Sequence, residues 1–190
     1  NMTLMIFDNG IYGLTKAQTS PTSPKGLKTK THPHGAMLPP MNPIQNTLGL
    51  TNLSFLAQTV DWKPQHLKAT IHAAFEHKGL GIVRIMQRCP HFTADIFQRS
   101  VREPDALEFM VHDRGIDLPE LTKIYKNRVA HDPSDIDAAR TMAKESENLR
   151  VGVFFRDEAR PIYEETRHLA PLTVDQKMEI MEKEFDRYAV

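Results

Sequence analysis

Residues 54–86 constrain this chain more than any other stretch. Ser-Phe-Leu-Ala-Gln-Thr-Val at 54–60 reads as a strand, rich in apolar and β-branched residues. Pro64 suits a first helical position. Leu67, Ile71, Ala74 and Phe75 then recur at the spacing of one helical face. His77 and Lys78 suit a last turn, and Gly79 suits a stop. Leu-Gly-Ile-Val-Arg-Ile-Met at 80–86 makes the next strand. Strand, helix and strand in so short a span form a βαβ unit, whose strands lie parallel. The fold class is therefore α/β, built on a parallel sheet.

The flanks extend this unit. Met-Thr-Leu-Met-Ile-Phe at 2–7 is a continuous apolar run that ends at the turn signal Asp8-Asn9-Gly10, as a buried parallel strand would. Residues 9–50 show no periodicity and hold six of the 13 prolines, which marks a long loop of functional or disordered kind. Residues 91–102 read as a helix or an ordered loop. The spacing predicts a helix over 134–147, capped by Ser134, and a short strand over 149–155. Thr173-Val-Asp-Gln176 is a capping box that opens a terminal helix. Its apolar stripe, Val174, Met178, Met181 and Phe185, is expected to pack on the chain's own core rather than on a partner protein.

Composition narrows the function classes. Hydrophobic residues make up 40% and charged residues 25% of the 190, as in an ordinary globular chain. Lys+Arg and Asp+Glu both count 24, so no net charge draws the chain to nucleic acid or to a membrane surface. No apolar run reaches the roughly 20 residues of a membrane span. The one cysteine, Cys89, excludes an intrachain disulfide and points to a reducing, cytoplasmic setting. The local basic loop of Lys25, Lys28 and Lys30 lacks the interleaved aromatics of a nucleic-acid surface. Cys89, His91 and His112 lack the spacing of a zinc site.

Chemistry concentrates where the first strand meets its loop. Ligands of open α/β sheets bind beyond the carboxyl ends of the strands. Asn9 sits there and offers an amide oxygen, with the carbonyl of Ile11 two residues on. Oxygens of this kind suit Mg²⁺. Read on spacing alone, Asp8-Asn9-Gly10 is more readily a plain turn than a metal site. Cys89 follows an apolar strand and, read alone, is a small core residue.

The full string from Asp8 is more specific. Asp8-Asn9, Tyr12-Gly13-Leu14-Thr15-Lys16 and Gln18, followed by Ser20-Pro21-Thr22, closely resembles the β subunit of 2-oxoacid:ferredoxin oxidoreductases, with the 2-oxoglutarate type nearest. The similarity runs on through His77-Lys78-Gly79 and Cys89-Pro90 to Arg160-Pro161-Ile162-Tyr163, covering about residues 2–165. It implies the C-terminal part of a thiamine diphosphate-binding domain over 1–90. Over 91–190 it implies a mixed α+β extension, the C-terminal region of the β subunit. The implied cofactors of the intact protein are thiamine diphosphate, Mg²⁺ and a [4Fe–4S] cluster. By resemblance, Asn9 and the Ile11 carbonyl are Mg²⁺ ligands, Tyr12 and Gly13 line the cofactor, and Leu14 and Lys16 face the substrate. Cys89 matches the last of four cluster cysteines. The metal-binding Gly-Asp-Gly half of the motif and three cysteines belong upstream in the family, so the chain reads as a fragment.

The implied activity is oxidative decarboxylation of 2-oxoglutarate to succinyl-CoA with reduction of ferredoxin. The implied partners are the α subunit, ferredoxin, the 2-oxoacid and coenzyme A. Pyruvate or a branched 2-oxoacid is the alternative substrate. A truncated, non-catalytic protein that only binds the α subunit is the alternative of another class. The family often carries glycine where Ala17 stands, so a left-handed backbone there would strain this chain.

Overall fold

The computed structural model describes residues 1–116, 118–144, 146–167 and 172–188. It divides into two compact units, Asn1–Arg160 and Pro161–Val190. The first unit is built on a six-stranded sheet in the order β1-β3-β2-β6-β4-β5. Its strands are β1 (Met2–Asp8), β2 (Leu53–Val60), β3 (Leu80–Met86), β4 (Leu107–Val111), β5 (Arg128–Ala130) and β6 (Leu149–Arg156). Its helices are α1 (Pro43–Thr47), α2 (Pro64–Glu76), α3 (Gln98–Arg102), α4 (Pro119–Ile124) and α5 (Ile136–Met142).

The βαβ unit forms as the sequence predicts: β2 and β3 pair in parallel and α2 joins them. β1 pairs in parallel with the other side of β3. The sheet then reverses, because β6 lies antiparallel to β2, while β4 and β5 follow β6 in parallel. The α/β class therefore holds, with the sheet mixed rather than purely parallel. Every residue of β2 is buried, as expected of a central strand covered on both faces. β4, α4 and β5 have no clear sequence pattern, since each is too short to show a period.

Three expectations need correction. The first concerns β1, which pairs but is not buried. It is the edge strand, so Met2, Leu4, Met5 and Phe7 are exposed and only Asp8 is buried. An edge strand has neighbours on one side only, and an apolar run alone does not distinguish edge from centre. The second concerns α5, whose cap is Asp135 and not Ser134. The Asp135 carboxylate accepts from the N–H groups of Asp137 and Ala138, while Ser134 donates to Asp132. The helix stops at Met142 and does not run to 147, and Glu145 lies outside the described residues. The third concerns the terminal helix. In the second unit, α6 (Tyr163–Thr166) and α7 (Val174–Tyr188) form, and the Thr173–Gln176 capping box closes at 2.9 and 3.3 Å. Yet α7 buries none of its residues, and Val174, Met178, Met181 and Phe185 are exposed.

On α2 the inward stripe is His66, Thr70 and Ala74, one residue off the apolar face read from the sequence, and Phe75 is exposed. Leu67 and Ile71 flank the stripe half-buried. Inward polar groups are tolerated because they bond to one another. Thr59 on β2 meets His66 Nδ1 at 2.8 Å, and Thr70 Oγ1 donates to the His66 carbonyl at 2.7 Å. Gly79, at φ 121°, ends the turn after α2 where a Cβ would stand 2.3 Å from Ser54 Oγ.

Burial pulls the His66 pKa down to about 4 from 6.5. A histidine held neutral in the folded state contributes its full stability above its unfolded pKa and loses it as pH falls toward the folded value. The chain should therefore lose about 3 kcal/mol through this residue as pH falls from 6.5 to 4. Urea unfolding at pH 7 and pH 4.5 checks this, because His66→Gln should lower stability at pH 7 and flatten the decline. An equal decline in both proteins would show that His66 is not its source.

Candidate cofactor and cluster site

The carboxyl ends of β1, β3 and β2 lie level. Gln87 N–H donates to the Asp8 carbonyl at 2.9 Å, and Asp61 N–H donates to the Met86 carbonyl at 3.0 Å. Three chain segments leave the sheet together here: the loop from Asn9, the Asp61-Trp62 corner and the turn at Cys89. Arg88 is salt-bridged to Asp61 at 2.8 Å and lies over the Trp62 ring at 5.9 Å.

Asp8 organises the first loop. Its carboxylate accepts from Gly10 N–H at 3.0 Å and from Thr22 Oγ1 at 2.6 Å. It also pairs with Arg84 through Nε at 3.0 Å and Nη2 at 2.5 Å. Both side chains are largely buried, at 7% and 14% exposure. Ser23 donates to the Gly10 carbonyl at 2.6 Å and closes the far side of the turn. Gly10 is left-handed at φ 67°, and a Cβ there would meet Ile96 at 3.1 Å. Sequence reasoning gives no role to Asp8, Thr22, Ser23 or Arg84. The available signal is an arginine in the middle of an apolar strand, which demands a partner.

Asn9 stands at the strand end as expected. Its Oδ1 accepts from Ile11 N–H at 3.1 Å, an Asx turn that fixes the side chain and leaves a second lone pair. Ile11 is buried at 5% exposure. Tyr12 and Gln18 exchange hydrogen bonds of 2.9 and 3.3 Å, closing a small hairpin around Gly13, Leu14, Thr15, Lys16 and Ala17. Gly13 packs on the Phe92 ring. Leu14, at 99% exposure, and Lys16 project into solvent at the tip. The structure therefore brings Asn9, Ile11, Tyr12 and Gly13 into one turn and sets Leu14 and Lys16 beside it. Lys16 and Ala17 are both left-handed, at φ 63° and 71°.

Cys89 is half-exposed, three residues past β3. Burial pushes its thiol up, but the hydrogen-bonding groups of Phe92, His91 and Thr93 around the turn outweigh this and bring it below the ordinary thiol range. This setting suits a thiolate ligand and differs from an apolar core site. Among the described residues, no group of three His, Cys, Asp or Glu gathers to hold a metal ion. Among the described residues, no helix is long and apolar enough to cross a membrane.

Two outcomes follow from this geometry. Arg84→Leu leaves a buried carboxylate without its counter-charge, so unfolding stability should fall by about 3–5 kcal/mol. A loss under roughly 1 kcal/mol in urea melts, the range of an exposed pair, would show that Asp8 does not depend on Arg84. Ala17→Gly removes a left-handed alanine, so it should raise stability by up to about 1 kcal/mol after the entropy of the unfolded glycine is counted. A fall in the thermal midpoint would contradict the strain.

Comparison with known families fits this arrangement. Residues 1–85 match the thiamine pyrophosphate enzyme C-terminal TPP-binding domain, and residues 120–170 match the C-terminal region of the pyruvate ferredoxin oxidoreductase β subunit. The chain is 28% identical to the 2-oxoacid:ferredoxin oxidoreductase β subunit of a Sulfolobus species over 87% of its own length and 52% of that protein's. It is 38% identical to the 2-oxoglutarate oxidoreductase subunit KorB of Mycobacterium tuberculosis over 60% of its own length and 30% of that protein's. It superposes with a TM-score of 0.67 and 29% identity on the 2-oxoglutarate:ferredoxin oxidoreductase of Magnetococcus marinus, solved with 2-oxoglutarate, coenzyme A and succinyl-CoA bound. That match covers 98% of this chain and 53% of the other. The chain is similar to the β subunits of 2-oxoacid:ferredoxin oxidoreductases, and it spans about half or less of the length of these relatives.

Proposed function

We propose that the chain serves as β-subunit material of a cytoplasmic 2-oxoacid:ferredoxin oxidoreductase, with 2-oxoglutarate as substrate. The reaction is oxidative decarboxylation to succinyl-CoA, with ferredoxin as electron acceptor and an α subunit as partner. The observation that carries this reading is the loop from Asn9 to Gln18, in which the whole family string folds into one hydrogen-bonded turn at the strand ends. The boundary near residue 90 is proposed as the division between cofactor-binding and β-subunit-specific regions.

When bound, thiamine diphosphate would supply the electron sink for decarboxylation, and a [4Fe–4S] cluster would supply one-electron transfer. This chain's part is positioning. Asn9 Oδ1, already oriented by Ile11 N–H, and the Ile11 carbonyl present two oxygens for Mg²⁺ at the diphosphate end. Tyr12 and Gly13 form the wall of that turn. Lys16, exposed at the tip, offers an ammonium to pair with the distal carboxylate of 2-oxoglutarate. Cys89 offers a thiolate among main-chain donors, the environment in which cluster sulfurs are held. Pyruvate has no second carboxylate, so Lys16 favours the dicarboxylate substrate over it.

Substrate choice tests the reading in the assembled enzyme. Lys16→Ala should lower kcat/KM for 2-oxoglutarate by roughly tenfold to a hundredfold, as loss of a charge-assisted contact does, and leave pyruvate or a branched 2-oxoacid nearly unchanged. Equal losses on both substrates would remove Lys16 from carboxylate recognition. Cys89→Ala should lower iron content and abolish ferredoxin reduction. A full cluster signal in electron paramagnetic resonance would make Cys89 a packing residue only.

A further inference from the structure

The cofactor loop and the cysteine turn are joined at one polar contact. Thr93 is buried at 5% exposure. Its Oγ1 donates to the Asn9 main-chain carbonyl at 3.2 Å, across 84 positions of sequence. Its own N–H donates to the Cys89 carbonyl at 3.0 Å and closes the turn that carries the sulfur. Among the described residues this is the single hydrogen bond between segments 9–18 and 89–97. Apolar contacts lie on either side of it. The Phe92 ring lies against Gly13, and the Ile96 side chain lies against Gly10.

We propose that Thr93 is a positioning residue that locks the Asn9 turn to the Cys89 turn and so fixes the cofactor ligand and the cluster ligand relative to each other. The proposal rests on the reading of Asn9 and Cys89 as ligands. A hydroxyl has one proton to donate. The Thr93 hydroxyl gives it to the Asn9 carbonyl, while the N–H of the same residue holds the Cys89 carbonyl. The hold on the cofactor loop and the position of the cysteine turn are therefore coupled through one residue. A valine in this place keeps the shape and the N–H but cannot donate to the Asn9 carbonyl.

The test uses the assembled oxidoreductase that contains this chain. Thr93→Val and Thr93→Ser are compared in three measurements: the Kd of thiamine diphosphate with Mg²⁺, the cluster midpoint potential by redox titration under electron paramagnetic resonance, and the thermal midpoint. Thr93→Val should weaken cofactor binding by about threefold to tenfold, the loss of one neutral hydrogen bond. It should also shift the cluster potential, because the turn that carries the sulfur is no longer tied to the cofactor loop. Thr93→Ser should restore both. The pair Thr93→Ala and Thr93→Ser gives the same comparison should the valine variant not assemble. An unchanged Kd and potential with only a lower thermal midpoint would make Thr93 a packing residue and overturn the proposal, as would equal losses in the serine variant. Failure of the underlying reading shows separately: Asn9→Ala would retain cofactor affinity, or Cys89→Ala would retain the cluster, whatever Thr93 does.

Discussion

The ion pair between Asp8 and Arg84 is the constraint on which the site end of the sheet depends. A guanidinium in the middle of β3 cannot remain unpaired next to buried Ile82, Val83 and Ile85. Its Nε and Nη2 go to Asp8 on β1, and its Nη1 goes to Gln58 Oε1 on β2 at 3.0 Å. Gln58 Nε2 donates to the Arg150 carbonyl on β6 at 2.7 Å, and Arg150 Nε pairs with Glu108 on β4 at 2.5 Å. One line of polar groups thus crosses five strands, from β1 through β3, β2 and β6 to β4. A buried pair of this kind adds little net stability against a hydrophobic substitute, but it penalises every arrangement in which one member is left alone. Slipping β1 by one residue against β3 would turn Asp8 to the other face of the sheet and strand Arg84. The pair therefore sets the register that places Asn9, the next residue, at the strand end.

Sheet reversal decides which loops can meet. β1, β3 and β2 run one way, and β6, β4 and β5 run the other. The carboxyl ends of the first three strands consequently share one end of the sheet, and those of the last three share the opposite end. The Asn9 loop, the Asp61-Trp62 corner and the Cys89 turn converge for this reason, although 80 positions separate Asn9 from Cys89. A purely parallel sheet would have brought the loop after β6 to the same end and crowded it. The mixed sheet leaves that end to three segments, of which the Asn9 loop and the Asp61-Trp62 corner lie in the residues that match a thiamine-dependent domain and the Cys89 turn follows just after them.

Much of this is legible in the residues. The β2-α2-β3 unit can be read because an apolar strand, a proline-started helix and a glycine stop fall in sequence within one unit, and each local preference agrees with the global pairing. The Asn9 turn is legible as a string, since Asx turns and left-handed glycines need particular residues. What the sequence conceals has physical causes. Edge and centre strands share a composition when both are apolar, so β1 looks buried. Strands of three to five residues, such as β5 and β4, carry too few positions to show alternation. The inward face of α2 is hidden because His66 and Thr70 are polar. Only the placement of Thr59 on β2 reveals that their hydrogen bonds are met. Thr93 gives no sequence signal, because its role exists only through a partner 84 positions away.

The irregular segment between β1 and α1 must keep one conformation without helices or strands. Backbone groups that leave water need partners, and side-chain oxygens supply them here. Ser23 Oγ accepts from Ser20 N–H at 2.8 Å while donating to the Gly10 carbonyl, and Thr29 Oγ1 accepts from His32 N–H at 3.2 Å. Asn42 ends the stretch by accepting from Ile44 and Gln45 N–H and donating to the Ala143 carbonyl at 2.7 Å. The prolines at 21, 24, 33, 39 and 40 lower the entropy that ordering must overcome. Glycines at 10, 26 and 35 take the left-handed bends without strain. Ordering in this way pre-sets the turn before any ligand arrives. Under the proposed reading, Mg²⁺ would meet Asn9 already oriented, and binding would not have to supply the cost of fixing the loop. The two strained residues, Lys16 and Ala17, lie at the tip of the same segment, where the structure sacrifices some stability to point one ammonium outward beside the turn.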